Sequence, residues 1–305
     1  MKRLICLALC LVLALCGCTA VTENKEKLQV VTTIFPAYDF ARQIGGEWAE
    51  VTMLLPPGGE VHAYEPSVSD LVAIKNCDVF IYNGGESDGW IETMLSQCDM
   101  TDKTVIRLTD HVELLMTGEQ HHHHEHEHDH HEADEHIWTT PRNALVLAKT
   151  IEQALAQQDA AHAREYAKGA TVLCGQLSDL KDQYEVLRQN PVTLVVADRF
   201  PFFYLAHEYG LSYVAAFDGC TSNTEADLAT VYQLTQAAKQ SRSHMVLCTE
   251  FSDRVLANTV AEASDGKVGM WHSCHNVTRE EWDAKVTYVA LMQNTVMVLK
   301  EALGL

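Results

Sequence analysis

The sequence predicts an α/β protein built from two similar four-stranded parallel lobes that a long, rigid helix joins. Short apolar runs rich in β-branched residues alternate with helical patterns, an order typical of parallel sheets covered by helices. Four such runs precede the middle of the 305-residue chain and four follow it. Between the two groups lies a long segment with an apolar stripe at helical spacing. We therefore expect two lobes with a cleft between them.

The first residues have the composition of an export signal. A basic start and an apolar run of about a dozen residues, too short to span a membrane with its own flanks, precede the sequence LCGC. That sequence resembles a bacterial lipobox ending at Cys18, and an ordinary secretory signal explains this cysteine less well. We expect a signal peptide at 1–17, a lipidated Cys18 and a polar tether at 18–27. The protein would then lie on the extracytoplasmic face of the cell membrane, held by its lipid anchor alone.

Each predicted strand is a short apolar run between helical or turn-forming segments. In the N-terminal lobe, predicted to span 28–158, the runs are 28–35, 51–56, 78–83 and 104–109. In the C-terminal lobe, predicted to span 191–305, they are 193–198, 211–217, 244–250 and 267–273.

The connection between the lobes is predicted to be helical. Thr140 is placed as an N-cap with Pro141 at the first helical position. A second helix, the linking helix, is predicted at 159–190, capped by Asp159 and ended by Pro191, which makes a rod of roughly 30 residues and 45 Å. A coiled-coil dimer is the alternative, but globular sequence on both sides favours a helix packed along both lobes. Its apolar stripe is Tyr166, Ala170, Leu173, Leu177, Leu180, Tyr184 and Leu187.

The charge and the cysteines limit the classes of function. A formal net charge of −20 argues against binding to nucleic acid or to an anionic membrane surface. Six cysteines follow Cys18, and outside the cytosol an even number permits disulfides. No C-x-x-C pair occurs, which argues against a structural zinc knuckle. We predict one disulfide, between Cys220 and Cys274, because both follow strands of the C-terminal lobe; the pairing of the others is left open.

The segment 120–136 is dominated by histidine and carboxylate residues. It has no apolar periodicity, so we predict a solvated loop. Imidazole suits zinc and other transition metals, so the loop would collect several ions weakly. An expression tag is the alternative, but tags lie at termini and do not contain interspersed Glu and Asp. The histidines of this loop are His121, His122, His123, His124, His126, His128, His130 and His131.

Side chains that can bind a metal follow four of the predicted strands. His62 comes after the second strand, His136 after the fourth, Asp198 closes the fifth, and His272 and His275 follow the eighth. In open α/β sheets, ligands bind beyond the carboxyl ends of the strands. The sequence therefore predicts one metal site in the cleft between the lobes, without a choice between the last two histidines.

Two segments resemble motifs of the solute-binding proteins that feed zinc and manganese ABC importers. PPGGEVHAYEPSVSDL resembles the family motif PPG-x-x-x-H-x-YEP-x-x-x-DL, and DEHIWTTPRNA resembles D-x-H-x-W-x-x-P-x-N. The histidine-rich insertion is typical of the zinc-specific, ZnuA/AdcA-like members. The likeness covers nearly the whole mature chain. By this resemblance His62 and His136 are the metal ligands of the N-terminal lobe.

The C-terminal lobe departs from the family pattern. The family has His or Glu after the fifth strand, but the aligned residue here is Arg199, which cannot bind a cation. The segment WHSCHN, with His272 and His275, is therefore expected to supply the missing imidazole, and Asp198 or a water molecule would complete the site. Glu60 is interpreted as an ordinary loop residue.

The favoured function is capture of Zn²⁺ and its delivery to an ABC permease and its ATPase, by a monomer that is not an enzyme. Imidazole-rich sites of low coordination number favour Zn²⁺, which is the expected ligand; a manganese-binding member of the same family is the alternative. A zinc hydrolase is a further alternative. The pattern H-E-x-x-H occurs only inside the histidine-rich loop, which has no helical periodicity, and the pattern G-x-S-x-G, at 85–89, belongs to serine hydrolases and holds no metal. No residue pattern supports an adhesin.

Overall fold

The computed structural model describes residues 27–116, 133–219 and 226–305, and within them the two predicted sheets are present. Each has four parallel strands, in the orders β2-β1-β3-β4 and β6-β5-β7-β8. All eight predicted strands are confirmed. They are β1 Leu28–Thr32, β2 Ala49–Met53, β3 Val79–Tyr82, β4 Thr104–Arg107, β5 Leu194–Phe200, β6 Tyr213–Asp218, β7 Met245–Cys248 and β8 Lys267–Met270.

Helices cover both sheets, as the alternating order of the sequence predicts. In the described part of the chain they are α1 Phe35–Gly45, α2 Val68–Asn76, α3 Gly89–Leu95, α4 Pro141–Gln158, α5 Ala163–Tyr184, α6 Phe203–Tyr209, α7 Leu228–Gln240, α8 Val255–Ala263, α9 Arg279–Asp283 and α10 Tyr288–Ala302. Among those residues we find no helix with the length and hydropathy needed to cross a membrane.

The topology of the two sheets places their ligand-binding edges at the cleft. In each sheet the chain leaves the first strand to one side and returns on the other side, so the direction of winding switches beside β1 and beside β5. Such a switch point leaves a crevice at the carboxyl ends of the strands. The central strand β3 is buried along its whole length, because all four of its side chains are apolar or aromatic.

The connection between the lobes agrees with the prediction at its start and is shorter than predicted. Thr140 accepts a hydrogen bond from the backbone of Asn143 at 3.2 Å, and Pro141 is the first residue of α4. Helix α5 has 22 residues, about 33 Å at 1.5 Å per residue. The predicted start at Asp159 is wrong, because its carboxylate accepts hydrogen bonds from His162 and Tyr166 instead of capping α5.

The whole predicted stripe of the linking helix α5 is buried, and it belongs to a core that both lobes share. Helix α5 packs against α1, α4 and α10. The C-terminal helix is also bonded to the N-terminal lobe: the backbone of Tyr288 donates to Asp39 at 2.7 Å, and its hydroxyl donates to the carbonyl of Trp138 at 2.6 Å. The lobes therefore share one hydrophobic core.

Of the predicted pair Cys220 and Cys274, only Cys274 lies in the described part of the chain. Cys274 is a free thiol, completely buried in the shared core, where burial raises its pKa. Cys220 lies outside the described residues, as do Cys18 and the histidines of the loop 120–131.

Candidate metal centre

His62 lies in the short turn that follows β2. The 3₁₀ turn Val61–Ala63 carries it, and the capping box of Ser67 and Asp70 begins α2 directly afterwards. The imidazole is 26 % exposed, and its Nδ1 lies 3.0 Å from the hydroxyl of Ser87. The ring lines the cleft, and its Nδ1 edge contacts the loop after β3.

His136 is buried immediately before α4, in the position that the family motif assigns to a ligand. Its Nδ1 lies 3.1 Å from Oδ1 of Asp134, and its backbone N–H donates to the same oxygen at 2.8 Å. A carboxylate only accepts hydrogen bonds, so Nδ1 carries the proton and Nε2 keeps its lone pair. This arrangement of carboxylate, imidazole and ion is typical of metal sites in proteins.

His275 brings the third imidazole from the loop after β8. Burial lowers the pKa of this histidine well below its usual value, and the neighbouring His136 and His62 lower it further. The ring is therefore neutral, the form that a metal ion requires. Its position depends on the N-terminal lobe, because its backbone carbonyl accepts a hydrogen bond from Phe35 at 3.2 Å.

The residues after His275 are bonded to the N-terminal lobe as well. The side-chain amide of Asn276 donates to the carbonyls of Pro56 and Gly59 at 2.8 and 2.9 Å. The backbone of Gly58 donates to the carbonyl of Val277 at 2.8 Å. The loop of His275 is thus held by the N-terminal lobe, which also carries His62 and His136.

These three histidines form a cluster whose donor atoms all lie within 4.8 Å of one another. The ring of His275 is nearly perpendicular to both others, with centroids at 5.8 Å from His62 and 5.4 Å from His136. Tetrahedral zinc with Zn–N bonds of about 2.0–2.1 Å needs nitrogens roughly 3.3 Å apart, so shifts on the order of 1 Å complete the site. Three imidazole donors suit Zn²⁺ and leave a fourth position for water or another ligand.

His272, the other histidine of this loop, is not part of the cluster. Its Nδ1 accepts a hydrogen bond from the backbone of Cys274 at 2.9 Å, so its Nε2 carries the proton and faces Glu281 at 3.5 Å. The backbone at Cys274 has a φ of 59°, a left-handed conformation that turns the chain between His272 and His275. The predicted ligand role of His272 is therefore not supported.

Asp198 also lies apart from the histidine cluster, contrary to its predicted role. One carboxylate oxygen accepts from the backbone of Arg199 at 2.8 Å, and the other accepts from the backbone and hydroxyl of Thr249 at 2.9 and 2.7 Å. The side chain thus fixes the end of β7. Both carboxylate oxygens accept hydrogen bonds from the protein, and these bonds hold Asp198 in its position outside the cluster.

Arg199 occupies one wall of the cleft, where it pairs with a residue of the other lobe. Its guanidinium lies 3.4 Å from the carboxylate of Glu60, which is half-exposed. The same cleft is lined by His62, Glu250 and His275. Glu60, interpreted from the sequence as an ordinary loop residue, thus forms an ion pair across the mouth of the site.

Several supporting residues were not identified from the sequence. Asp134 could have been, because it lies in the D-x-H motif, two residues before a ligand. Glu250 could not, because its bonds to the backbone and hydroxyl of Ser273, at 2.9 and 2.5 Å, join loops that are distant in the sequence. Ser87 and Glu135 are a second such pair, 48 residues apart.

Comparison with known proteins agrees with this geometry. The family described as "Zinc-uptake complex component A periplasmic", ZnuA, matches residues 30–302. The zinc-binding lipoprotein AdcA of Streptococcus pneumoniae is 30 % identical over 293 residues, covering 95 % of this chain and 58 % of the relative. The high-affinity zinc uptake system protein ZnuA of Bacillus subtilis is 28 % identical over 301 residues, covering 96 % of this chain and 94 % of the relative.

The solved structures give the same answer for the fold. The Zn(II)-bound ZnuA-like domain of S. pneumoniae AdcA superposes with a TM-score of 0.77 and 27 % identity, covering 92 % of this chain and all of that one. This chain spans only 58 % of the length of the pneumococcal relatives that it matches. The matches confirm the resemblance carried by the two histidine motifs, and the chain belongs to the ZnuA family of zinc-uptake components.

Proposed function

We propose that this chain captures Zn²⁺ outside the cytoplasm and delivers it to the permease of an ABC importer, whose ATPase drives uptake. The observation that carries the proposal is the convergence of three imidazoles from three loops on one point of the cleft. Nitrogen donors and a low coordination number favour Zn²⁺. The ion is cargo in this proposal, so the site must both bind it and release it.

The names of the relatives support zinc as the ligand. They include a zinc-binding lipoprotein and a high-affinity zinc uptake protein. The alternative, Mn²⁺, prefers a larger number of oxygen ligands. In the described residues the cluster offers nitrogen from three histidines, and Asp198 is used elsewhere. Zinc is therefore the better match to the donor set.

Binding also explains the surroundings of the site better than hydrolysis does. A catalytic zinc needs a neighbouring carboxylate or histidine that can take a proton from bound water. Of the carboxylates near the cluster, Asp134 orients His136, Glu250 is bonded twice to Ser273, and Glu135 is bonded twice to Ser87. All three therefore have structural partners, and we propose that the protein is not an enzyme.

The location and the assembly state are part of the same proposal. Lipidation of Cys18 would hold a monomer on the extracytoplasmic face, where zinc arrives from outside the cell. The lipoprotein names of the pneumococcal relatives support this anchor. Changing Cys18 to Ala should move the mature protein from the membrane fraction to the soluble fraction.

The delivery function can be tested by uptake in cells from which the gene has been deleted. Expression of the wild-type chain should restore uptake of radioactive zinc from medium that contains a chelator. The variant His275→Asn should fail to do so at equal protein abundance, because one of three nitrogen donors is lost. Equal uptake with both proteins would contradict the proposal.

A further inference from the structure

Glu135 is a nearly buried carboxylate beside the three-histidine cluster, 8 % exposed and not one of the clustered donors. Burying a carboxylate costs free energy unless hydrogen bonds compensate it. Here Ser87 supplies both bonds: its backbone N–H donates to Oε2 at 3.0 Å and its hydroxyl donates to Oε1 at 2.5 Å. The two residues therefore act as one unit.

The same hydroxyl lies 3.0 Å from Nδ1 of His62. A serine hydroxyl has one proton to donate and lone pairs with which to accept. Because the carboxylate of Glu135 only accepts, the proton of Ser87 points toward Glu135 and a lone pair faces the imidazole. Nδ1 of His62 must then be the protonated nitrogen, and Nε2 keeps the lone pair that an ion needs.

We propose that Ser87 and Glu135 are positioning residues that hold His62 in the orientation and tautomer required for Zn²⁺. We call the chain of hydrogen bonds from the Glu135 carboxylate through the Ser87 hydroxyl to Nδ1 of His62 the relay. Asp134 does the same for His136 without an intermediate. The proposal rests on the proposed function only in so far as His62 is taken as a ligand of the ion.

The loop after β3 has a backbone conformation that makes this approach possible. Gly85 has a φ of 122°, a conformation that favours glycine. A Cβ atom at this position would lie 2.6 Å from both Cβ and Oε2 of Glu135. The absence of a side chain at Gly85 thus gives Glu135 the space in which it meets Ser87.

The test reads the tautomer of His62 in the metal-free mature protein by long-range ¹H–¹⁵N correlation, with the resonance assigned by its loss in His62→Ala. The wild type should carry the proton on Nδ1. In Ser87→Ala and in Glu135→Ala the population should shift toward protonation at Nε2. Zinc affinity should fall about 10- to 100-fold in both variants, the range typical for residues that support a metal ligand.

Two variants serve as controls. Ser87→Thr keeps the hydroxyl and should keep both the wild-type tautomer and an affinity close to that of the wild type. Ser96→Ala removes an exposed hydroxyl that donates only to the carbonyl of Thr93 at 2.7 Å, and it should change neither reading.

An unchanged Nδ1 tautomer in both Ser87→Ala and Glu135→Ala would overturn the relay, and so would a wild-type His62 protonated at Nε2. These readings are made without metal, so they are separate from the test of the proposed function. If the wild type binds zinc tightly but the tautomer of His62 is unchanged in both variants, the proposed function stands and only the relay is refuted.

Discussion

The three histidines are held in three different ways. His136 has its orienting carboxylate, Asp134, two residues away, so the D-x-H motif contains both ligand and support. His62 depends on the loop after β3, and His275 on backbone bonds to the opposite lobe. The sequence therefore shows the support of one ligand directly, whereas the supports of the other two require the folded chain.

Substitution of single histidines distinguishes the three clustered histidines from the neighbouring His272. His62→Asn, His136→Asn and His275→Asn should each lower zinc affinity by more than the roughly 100-fold that loss of a supporting residue costs. His272→Gln should lower it by no more than about tenfold, because this ring supports the loop from outside the cluster. Calorimetry measures the zinc affinities, and thermal unfolding shows that each variant is folded. Loss of tight binding in a well-folded His272→Gln protein would show that the assignment is wrong.

The choice between His272 and His275 lay beyond the sequence for a physical reason. Both histidines lie in one short loop, and a difference of three residues does not fix which ring faces the cleft. The left-handed backbone at Cys274 fixes it, and nothing in a cysteine predicts that conformation. The hydrogen bonds of Asp198 lay beyond the sequence for a related reason: its partner Thr249 belongs to a strand end far along the chain.

Among the secondary-structure elements, those with strong local patterns were predicted and those set by tertiary contacts were not. The strands follow from short apolar runs, and the start of α4 follows from Thr140 and Pro141. The start of α5 was misplaced because Asp159 has the composition of an N-cap but is bonded to Tyr166. Propensity alone does not distinguish these two uses of an aspartate.

The turn Glu86–Asp88, which carries Ser87, contains a carboxyl group with a strongly changed pKa. Burial, with a smaller contribution from the nearby Glu135 carboxylate, raises the pKa of Asp88 to about 6. At this residue the folded protein binds a proton more tightly than the unfolded chain, whose pKa is near 3.8. Its contribution to stability is therefore complete below about pH 4 and is lost as the pH rises through about 6.

Replacement of Asp88 by Asn should remove this pH dependence. The difference in unfolding free energy between Asp88→Asn and wild type should grow by up to about 3 kcal/mol between pH 4 and pH 7, because one pKa unit corresponds to about 1.4 kcal/mol. Denaturant unfolding of the metal-free proteins across this range measures it. Asp110→Asn, which replaces an exposed carboxyl, should keep the wild-type dependence of the unfolding free energy on pH. A parallel pH dependence in Asp88→Asn and wild type would count against the argument.

At the scale of the whole molecule, the two lobes share one core, and the histidine cluster is built from loops of both lobes. The loop carrying His275 is bonded to Phe35, Pro56 and Gly59 of the N-terminal lobe. The indole of Trp138 donates to the carbonyl of Ser273 at 2.8 Å, a further bond between the lobes. The three imidazoles thus need no lobe closure to meet, and the linking helix α5 limits such a motion.

The histidine-rich loop is expected to be separate from the tight site. Deletion of residues 120–132, with His136 kept, should lower the number of zinc ions bound and leave one ion at wild-type affinity. Flexible ligands must be ordered at each binding event, so ions held by the loop should bind weakly. Metal analysis after equilibrium dialysis gives the stoichiometry. If no tight ion is left, the primary site has been misplaced.

The most direct test of the central claim is a calorimetric competition between Zn²⁺ and Mn²⁺ on the protein without the loop 120–132. The account predicts one tightly bound Zn²⁺ that Mn²⁺ fails to displace, with the tight binding lost in His275→Asn, because three imidazoles form the site. A preference for Mn²⁺, or the same zinc affinity in His275→Asn and the parent protein, would contradict it.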